Sequence, residues 1–321
     1  MRAPTSKSSL NFYPQTYCTV GTLKRAAGNK LPALGEQLRM VFSTRQVINV
    51  ASVPHRSPFR YPGGKTWLVP HVRRWLSSLS RRPLEFVEPF AGGGIVGLSV
   101  LFDGLAEHLT LVEIDDDVAA VWEIILSKKA KEFANRIAWF EPTRQAVNQI
   151  LEKRPTSIFG RAFATMVRNR VQRGGIMAPG ASLMKAGENG RGLRSRWYPE
   201  TLKKRILAIA EKRDRISFIH GDGIQYTREM DGREGAVVFI DPPYTVAGRR
   251  LYVHSEIDHK ELFRVVSSVR GDFLMSYDNA LPIHELARNF GFDMQEVSMK
   301  NTHHEVMSEL LIGRNLDWLR Y

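Results

Sequence analysis

The chain has 321 residues, 43% of them apolar and including sixteen Phe and six Trp, which is enough to build a substantial core. Its single cysteine, Cys18, excludes an internal disulfide and thiolate metal clusters, and no apolar stretch is long enough to span a bilayer, a composition that fits a reducing cytoplasm. The net charge of +13 is unevenly placed: residues 1–54 hold seven Lys/Arg against Glu36 alone, residues 136–204 hold fourteen against four acids, and the remainder is close to neutral, a distribution that suits a polyanionic partner.

Residues 1–54 show no sustained periodicity and read as a basic, disordered extension. Their Arg/Ser-rich, acid-poor composition also allows an organelle transit peptide, and Met40 is an alternative start. From Arg56 the pattern becomes regular. Pro62-Gly63-Gly64-Lys65 reads as a turn, and Thr66–Leu79 carries Trp67, Leu68, Val72, Trp75, Leu76 and Leu79 at helical spacing. Strands are expected at Leu84–Glu88 and Leu109–Ile114, with a helix beginning at Gly94. Asp115, Asp116 and Asp117 then sit where a helix N-terminus favours acids, with Lys128, Lys129 and Lys131 toward its C-terminus. Beyond the basic block, strands recur at Ile216–Ile219, Val237–Ile240, Phe273–Ser276 and Val306–Ile312, with helical patterns at Lys260–Val269 and Pro282–Asn289. Such alternation predicts an α/β fold with a mostly parallel, doubly wound sheet, interrupted by an insert over 136–204.

Two constellations carry chemistry. Glu88-Pro89-Phe90-Ala91-Gly92-Gly93-Gly94 joins the first strand to its helix, where glycines let a ligand approach the backbone and a helix N-terminus offers free N–H groups. Glu113, at the end of the next strand, stands where an acid accepts hydrogen bonds from the ribose hydroxyls of an adenosine cofactor. Farther on, the buried run Ala236–Ile240 delivers Asp241-Pro242-Pro243-Tyr244 to the sheet edge. A carboxylate, carbonyls freed by two prolines and an aromatic face suit a flat ligand bearing an amine, such as a nucleobase. The spacing of the first constellation alone also allows a nicotinamide dehydrogenase.

With Arg60-Tyr61-Pro62-Gly63-Gly64-Lys65 added, the chain resembles the Dam-type adenine-specific DNA methyltransferases, with Phe86–Gly94, Leu111–Asp115, Phe218–Asp222 and Asp241–Tyr244 following in that family's order. The resemblance runs from about Pro58 to Asn315 and is thin across the insert. It implies a Rossmann-like S-adenosylmethionine-dependent core in two parts, 55–135 and 205–321, around a mainly helical target-recognition insert at 136–204. On it, Tyr61 and Lys65 flank the methionine part of S-adenosylmethionine, with Tyr61 in place of the Trp of some members. Phe90, Gly92 and Gly94 line the cofactor loop, Glu113 holds the ribose, and Asp222 accepts from the adenine amine. Asp241 and the Pro242 carbonyl grip the target amine, and Tyr244 stacks on the extruded base.

In the insert, Arg168, Asn169, Arg170, Arg173, Arg194 and Arg196 are of types that bind guanine, adenine or phosphate, and are expected to contact double-stranded DNA. The stretch near 174–192 reads as a mobile loop. The resemblance further implies a cytoplasmic, bacterial or phage-encoded protein, and leaves room for a cognate restriction endonuclease as partner. No metal is required, and His254, His259, His303 and His304 read as surface or loop histidines. The motif equally admits cytosine's exocyclic amine, an RNA adenine, or a relative that binds without catalysis.

Overall fold

The computed structural model describes residues 53–320 apart from 62, 154, 178–179, 188–189, 231–232, 245–255 and 301–305. The readings of the first 52 residues as tail, transit peptide or late start lie outside the described residues, as do His254, His303 and His304.

Seven strands form one sheet: β1 Glu85–Glu88, β2 His108–Glu113, β3 Ile216–His220, β4 Ala236–Ile240, β5 Phe273–Asp278, β6 Asp293–Lys300 and β7 Val306–Gly313. Their order is β3-β2-β1-β4-β5-β7-β6, with the first five strands parallel and β7 antiparallel to both neighbours. This is a Rossmann-like sheet in which a reversed β7 is wedged between β5 and β6. The strands alternate faces as the pleat requires. Along β4, Val237 and Phe239 enter one apolar cluster while Val238 and Ile240 enter the other.

The helices follow the expected placements: α1 Val69–Ser78, entered through a 3-10 turn at Lys65–Leu68, and α2 Ile95–Phe102 precede β2. Between β2 and β3 run α3 Asp116–Leu126, α4 Ala130–Trp139, α5 Arg144–Glu152, α6 Ile158–Val171 and α7 Pro199–Glu211. Residues 136 and 204 therefore fall inside α4 and α7, and the helical excursion is continuous with the crossover that a parallel sheet demands. Asp115 caps α3 by accepting from Asp117 and Val118 N–H at 2.8 and 3.1 Å. The expectation for the lysines is corrected: α3 ends at Leu126, so Lys131 belongs to the first turn of α4 rather than the last turn of α3. Farther along are α8 Gly223–Glu229, α9 His259–Ser268, α10 Leu281–Asn289 and the short α11 Asp317–Arg320. Among the described residues no helix is long and apolar enough to cross a membrane.

Two DNA-contact expectations are overturned here. Asn169 is fully buried in α6; its amide accepts from Arg60 N–H and donates to Arg60 C=O, each at 2.8 Å, and donates to Gly175 C=O at 3.0 Å. Arg170 is 3% exposed and donates to Pro58 C=O. Both side chains satisfy backbone groups of the segment before the 3-10 turn, so neither reaches a DNA base. Asn169→Ala removes three buried hydrogen bonds and strands their backbone partners. It should cost about 3 kcal/mol in urea denaturation, whereas a cost near zero would show that Asn169 is not holding this segment.

Candidate active site

The ends of β1, β2 and β4 converge on one cavity of about 470 Å³, walled on the other side by His55, Ser57, Phe59 and Tyr61. Within 55–61 the odd residues line the cavity, while the carbonyls of Ser57 and Pro58 are held by Arg205 and Arg170. Tyr61, Lys65, Phe90, Gly92, Gly94, Glu113, Asp222 and Asp241 all line the cavity, so the residues assigned to the cofactor come together.

The glycine loop is closely fitted. Gly92 and Gly94 have φ of 47° and 60°, in the left-handed region. A Cβ on Gly92 would lie 2.7 Å from the Tyr61 ring, and one on Gly94 would lie 2.9 Å from the Trp122 ring. Trp122 Nε1 donates to Gly92 C=O at 2.9 Å, and Gly92 N–H donates to Glu113 Oε2 at 2.7 Å. Glu113 also accepts from Asp115 N–H at 2.9 Å. Thus the acid expected to hold a ribose also braces the loop beneath it. Burial pushes its carboxyl up to about 7. Asp222 caps α8 through Gln225 N–H at 2.9 Å while remaining exposed at the cavity edge.

Sequence reasoning did not assign a role to Glu88, which closes the floor. It is 4% exposed, accepts from Gly97 N–H at 2.8 Å, and is pushed up to about 8, chiefly by burial.

At the end of β4, Asp241 Oδ1 lies 3.0 Å from Lys65 Nζ and accepts from Ser276 Oγ at 3.1 Å. Lys65 is 4% exposed, donates to Gly63 C=O at 3.1 Å, and lies 3.7 Å from Glu309 Oε2. Glu309, on β7, was missed; a lone acid beside the apolar run Leu310-Leu311-Ile312 was the available signal. It accepts from Tyr244 Oη at 2.8 Å, and burial pushes its carboxyl above the ordinary range against the opposing pull of Lys65. The Tyr244 ring packs against Tyr277 with centroids 6.1 Å apart and lies 4.6 Å from the Lys65 ammonium. Tyr244 is thereby anchored beneath the Asp241–Lys65 pair. Pro242 is buried, and Pro243 lines the cavity beside Asp241.

Of the insert, Gly175 and Met177 line the cavity, while Arg168, Arg173, Arg194 and Arg196 stand apart from it. Arg168 pairs with Asp117 at 2.6 Å and Arg194 with Glu141, while Arg173 is exposed and Arg196 half-buried. A bridge between Gln172 and Leu183 ties down part of the segment expected to be mobile. His259 hydrogen-bonds Tyr277 Oη at 3.0 Å.

Residues 61–302 match the model of the D12 class N6 adenine-specific DNA methyltransferase family. A search of curated proteins gave no match. Among solved structures, a putative RNA methyltransferase from Pyrococcus horikoshii is 9% identical, covering 87% of this chain and 98% of its own, at a TM-score of 0.37. The putative methyltransferase yhhF of Escherichia coli is 12% identical over 78% and 86% of the two chains at 0.33. Spermidine synthase from Thermotoga maritima is 12% identical over 84% and 60% at 0.35. At such scores these likenesses carry no inference about chemistry.

Glu88 and Glu113 have native values above the ordinary carboxylate range, so each supports the folded state at low pH and loses that support as pH rises through its native value. For Glu88 the loss between about pH 5 and 9 amounts to roughly 4 kcal/mol. Thermal melts of the unliganded Glu88→Gln variant across that interval should fall less steeply than those of the parent protein. Parallel curves would mean that Glu88 is not the titrating group.

Proposed function

Since this chain belongs to the D12 class of N6 adenine-specific DNA methyltransferases, we propose that it methylates the exocyclic amine of an adenine turned out of double-stranded DNA. Coarser ground is firm: it is a methyltransferase of Rossmann-like fold whose methyl donor is S-adenosylmethionine.

The cavity fits that donor. Its volume of about 470 Å³ lies within the range of cofactor sites. Gly92 and Gly94 have a backbone that side chains would obstruct, Glu113 and Asp222 offer acceptors for ribose hydroxyls and an adenine amine, and the Tyr61 face suits a sulfonium. When bound, S-adenosylmethionine supplies an electrophilic methyl group.

The observation that carries the reading is the setting of Asp241. Its contacts with Lys65 and Ser276 both fall on Oδ1, which supports Oδ2 as the acceptor for an amine proton. A hydrogen bond there, paired with one to the Pro242 carbonyl, draws the amine lone pair out of conjugation with the ring. Asp241 then stabilises the positive charge that develops on nitrogen and takes the proton that the alkylated amine sheds. The base has to leave the duplex because its amine is otherwise enclosed by stacking and pairing.

Asp241→Ala should retain the fold, because Glu309 remains beside Lys65 as counter-charge, and should retain donor binding. Its transfer rate should fall by roughly 100-fold or more, the scale of losing a positioned electrostatic group; near-normal turnover would refute the mechanism. Digesting labelled duplex DNA and RNA to nucleosides should return N6-methyladenine from DNA. Label recovered only from RNA, or on cytosine, would defeat the substrate assignment while leaving the methyltransferase standing.

A further inference from the structure

Lys65 is a buried cation with two carboxylates beside it, and only one of them lines the cavity. Its ammonium is 3.0 Å from Asp241 Oδ1 and 3.7 Å from Glu309 Oε2. Glu309 is 6% exposed and stands on β7, outside the cavity lining. Two hydroxyls complete the group. Tyr244 Oη donates to Glu309 Oε2 at 2.8 Å, and Ser276 Oγ donates to Asp241 Oδ1 at 3.1 Å with Glu309 Oε2 at 3.4 Å. One carboxylate would be enough to balance one ammonium, and burying a second is costly.

The second acid has a use once the charge on Asp241 changes. In the proposed transfer the adenine nitrogen bonds the methyl carbon with its own electron pair, displacing sulfur together with the pair of the carbon–sulfur bond. One N–H bond then breaks, its pair staying on nitrogen and its proton passing to Asp241 Oδ2. The sulfonium and Asp241 charges have then both gone. With Asp241 as its sole partner, Lys65, only 4% exposed, would be left as an unbalanced cation, and proton transfer would work against that cost. With Glu309 present, Lys65 and Glu309 remain as a neutral pair. Burial, together with repulsion by Asp241, pushes the Glu309 carboxyl up, while Lys65, Tyr244 and Ser276 pull it down. A neutral Asp241 no longer repels it, so the balance moves toward a charged Glu309 as that charge is needed.

We propose that Glu309 is a positioning residue for methyl transfer, acting through Lys65 as the reserve counter-charge that lets Asp241 become neutral when it takes the amine proton. The inference deepens the reading of Asp241 as proton acceptor and rests on it.

The test compares the full chain with Glu309→Gln and Glu309→Asp. Gln keeps an oxygen for the Tyr244 hydroxyl but carries no charge. Asp keeps the charge but is one methylene shorter, which loosens the Tyr244 bond. Single-turnover transfer from labelled S-adenosylmethionine to long unmethylated duplex DNA, and to RNA, is read at saturating donor, together with the donor KM. Glu309→Gln should fold, since Asp241 still pairs with Lys65. Its transfer rate should fall by roughly 100-fold, the lower end of what a positioned proton acceptor contributes, with the donor KM unchanged. Glu309→Asp should recover most of that loss, because Coulomb attraction falls only as the inverse of distance.

A Gln variant as fast as the parent protein would overturn the inference. So would a rate order in which Gln exceeds Asp, which would make Glu309 a hydrogen-bonding anchor for Tyr244, or a loss seen in donor KM rather than rate. Failure of the underlying reading looks different. Asp241→Ala turning over normally, or a parent protein that methylates neither polynucleotide, would remove the proton acceptor or the activity and the inference with it. Should Glu309→Gln not fold, Glu309→Asp against Glu309→Asn makes the comparison at equal length, and equal rates would overturn the charge role.

Discussion

The buried ammonium of Lys65 holds the site together. It reaches the carboxylate of Asp241 at the end of β4 and that of Glu309 on β7, with Ser276 on β5 bridging the two acids. Burying charges is expensive, and attraction offsets the cost only when the remaining donors and acceptors are also satisfied. Here they are: Lys65 donates to Gly63, Tyr244 donates to Glu309, and the Tyr244 ring lies against the cation. The cluster pins the turn at 63–65 to three neighbouring strands, and so fixes where Asp241 points. Removing Lys65 leaves two neighbouring carboxylates without their cation, whereas removing Asp241 still leaves Glu309 beside the ammonium.

A second group of acids solves a different problem. Glu88, Glu113 and Asp241 end adjacent strands and face one cavity, an arrangement that would repel itself if all were charged. Burial raises the proton affinity of Glu88 and Glu113, which relieves the repulsion, and each spends its oxygens on backbone N–H groups of the glycine loop or its helix. Two of the three acids are therefore framework as much as ligand-binding groups. Asp241 differs in being held by side chains, those of Lys65 and Ser276.

The legible parts of the site were those in which local sequence and strand ends coincide. A buried run followed by a polar or glycine-rich turn announces the carboxyl edge of a parallel strand, so Glu113, Asp241 and the loop at 92–94 could be placed without coordinates. Glu309 and Ser276 could not, because their importance arises from β7 running antiparallel beside β5, a long-range pairing that leaves no local mark. The strand β6 escaped for another reason. Its residues, Asp293-Met294-Gln295-Glu296-Val297-Ser298-Met299-Lys300, form a polar edge with one neighbour, and such edges are kept hydrophilic. The break between α3 and α4 carries no proline or glycine; Ser127 makes it by bonding back to the Ile124 carbonyl.

The most instructive failure is at Asn169 and Arg170. Their types match those that read DNA, and their place in a basic block strengthened that reading, yet both turn inward to hold the backbone at 58–60. Residue type reports which hydrogen bonds a side chain can make and says nothing about which partner it meets. What the partner is changes the meaning of the helix. Through Asn169 and Arg170, α6 carries one wall of the cavity, so the part of the chain where the family resemblance is thinnest also supports the cavity. A recognition surface built on such a helix cannot vary independently of the chemistry: a substitution that shifts α6 moves the wall at 55–61, and with it the aromatic face of Tyr61 against which the glycine loop is fitted.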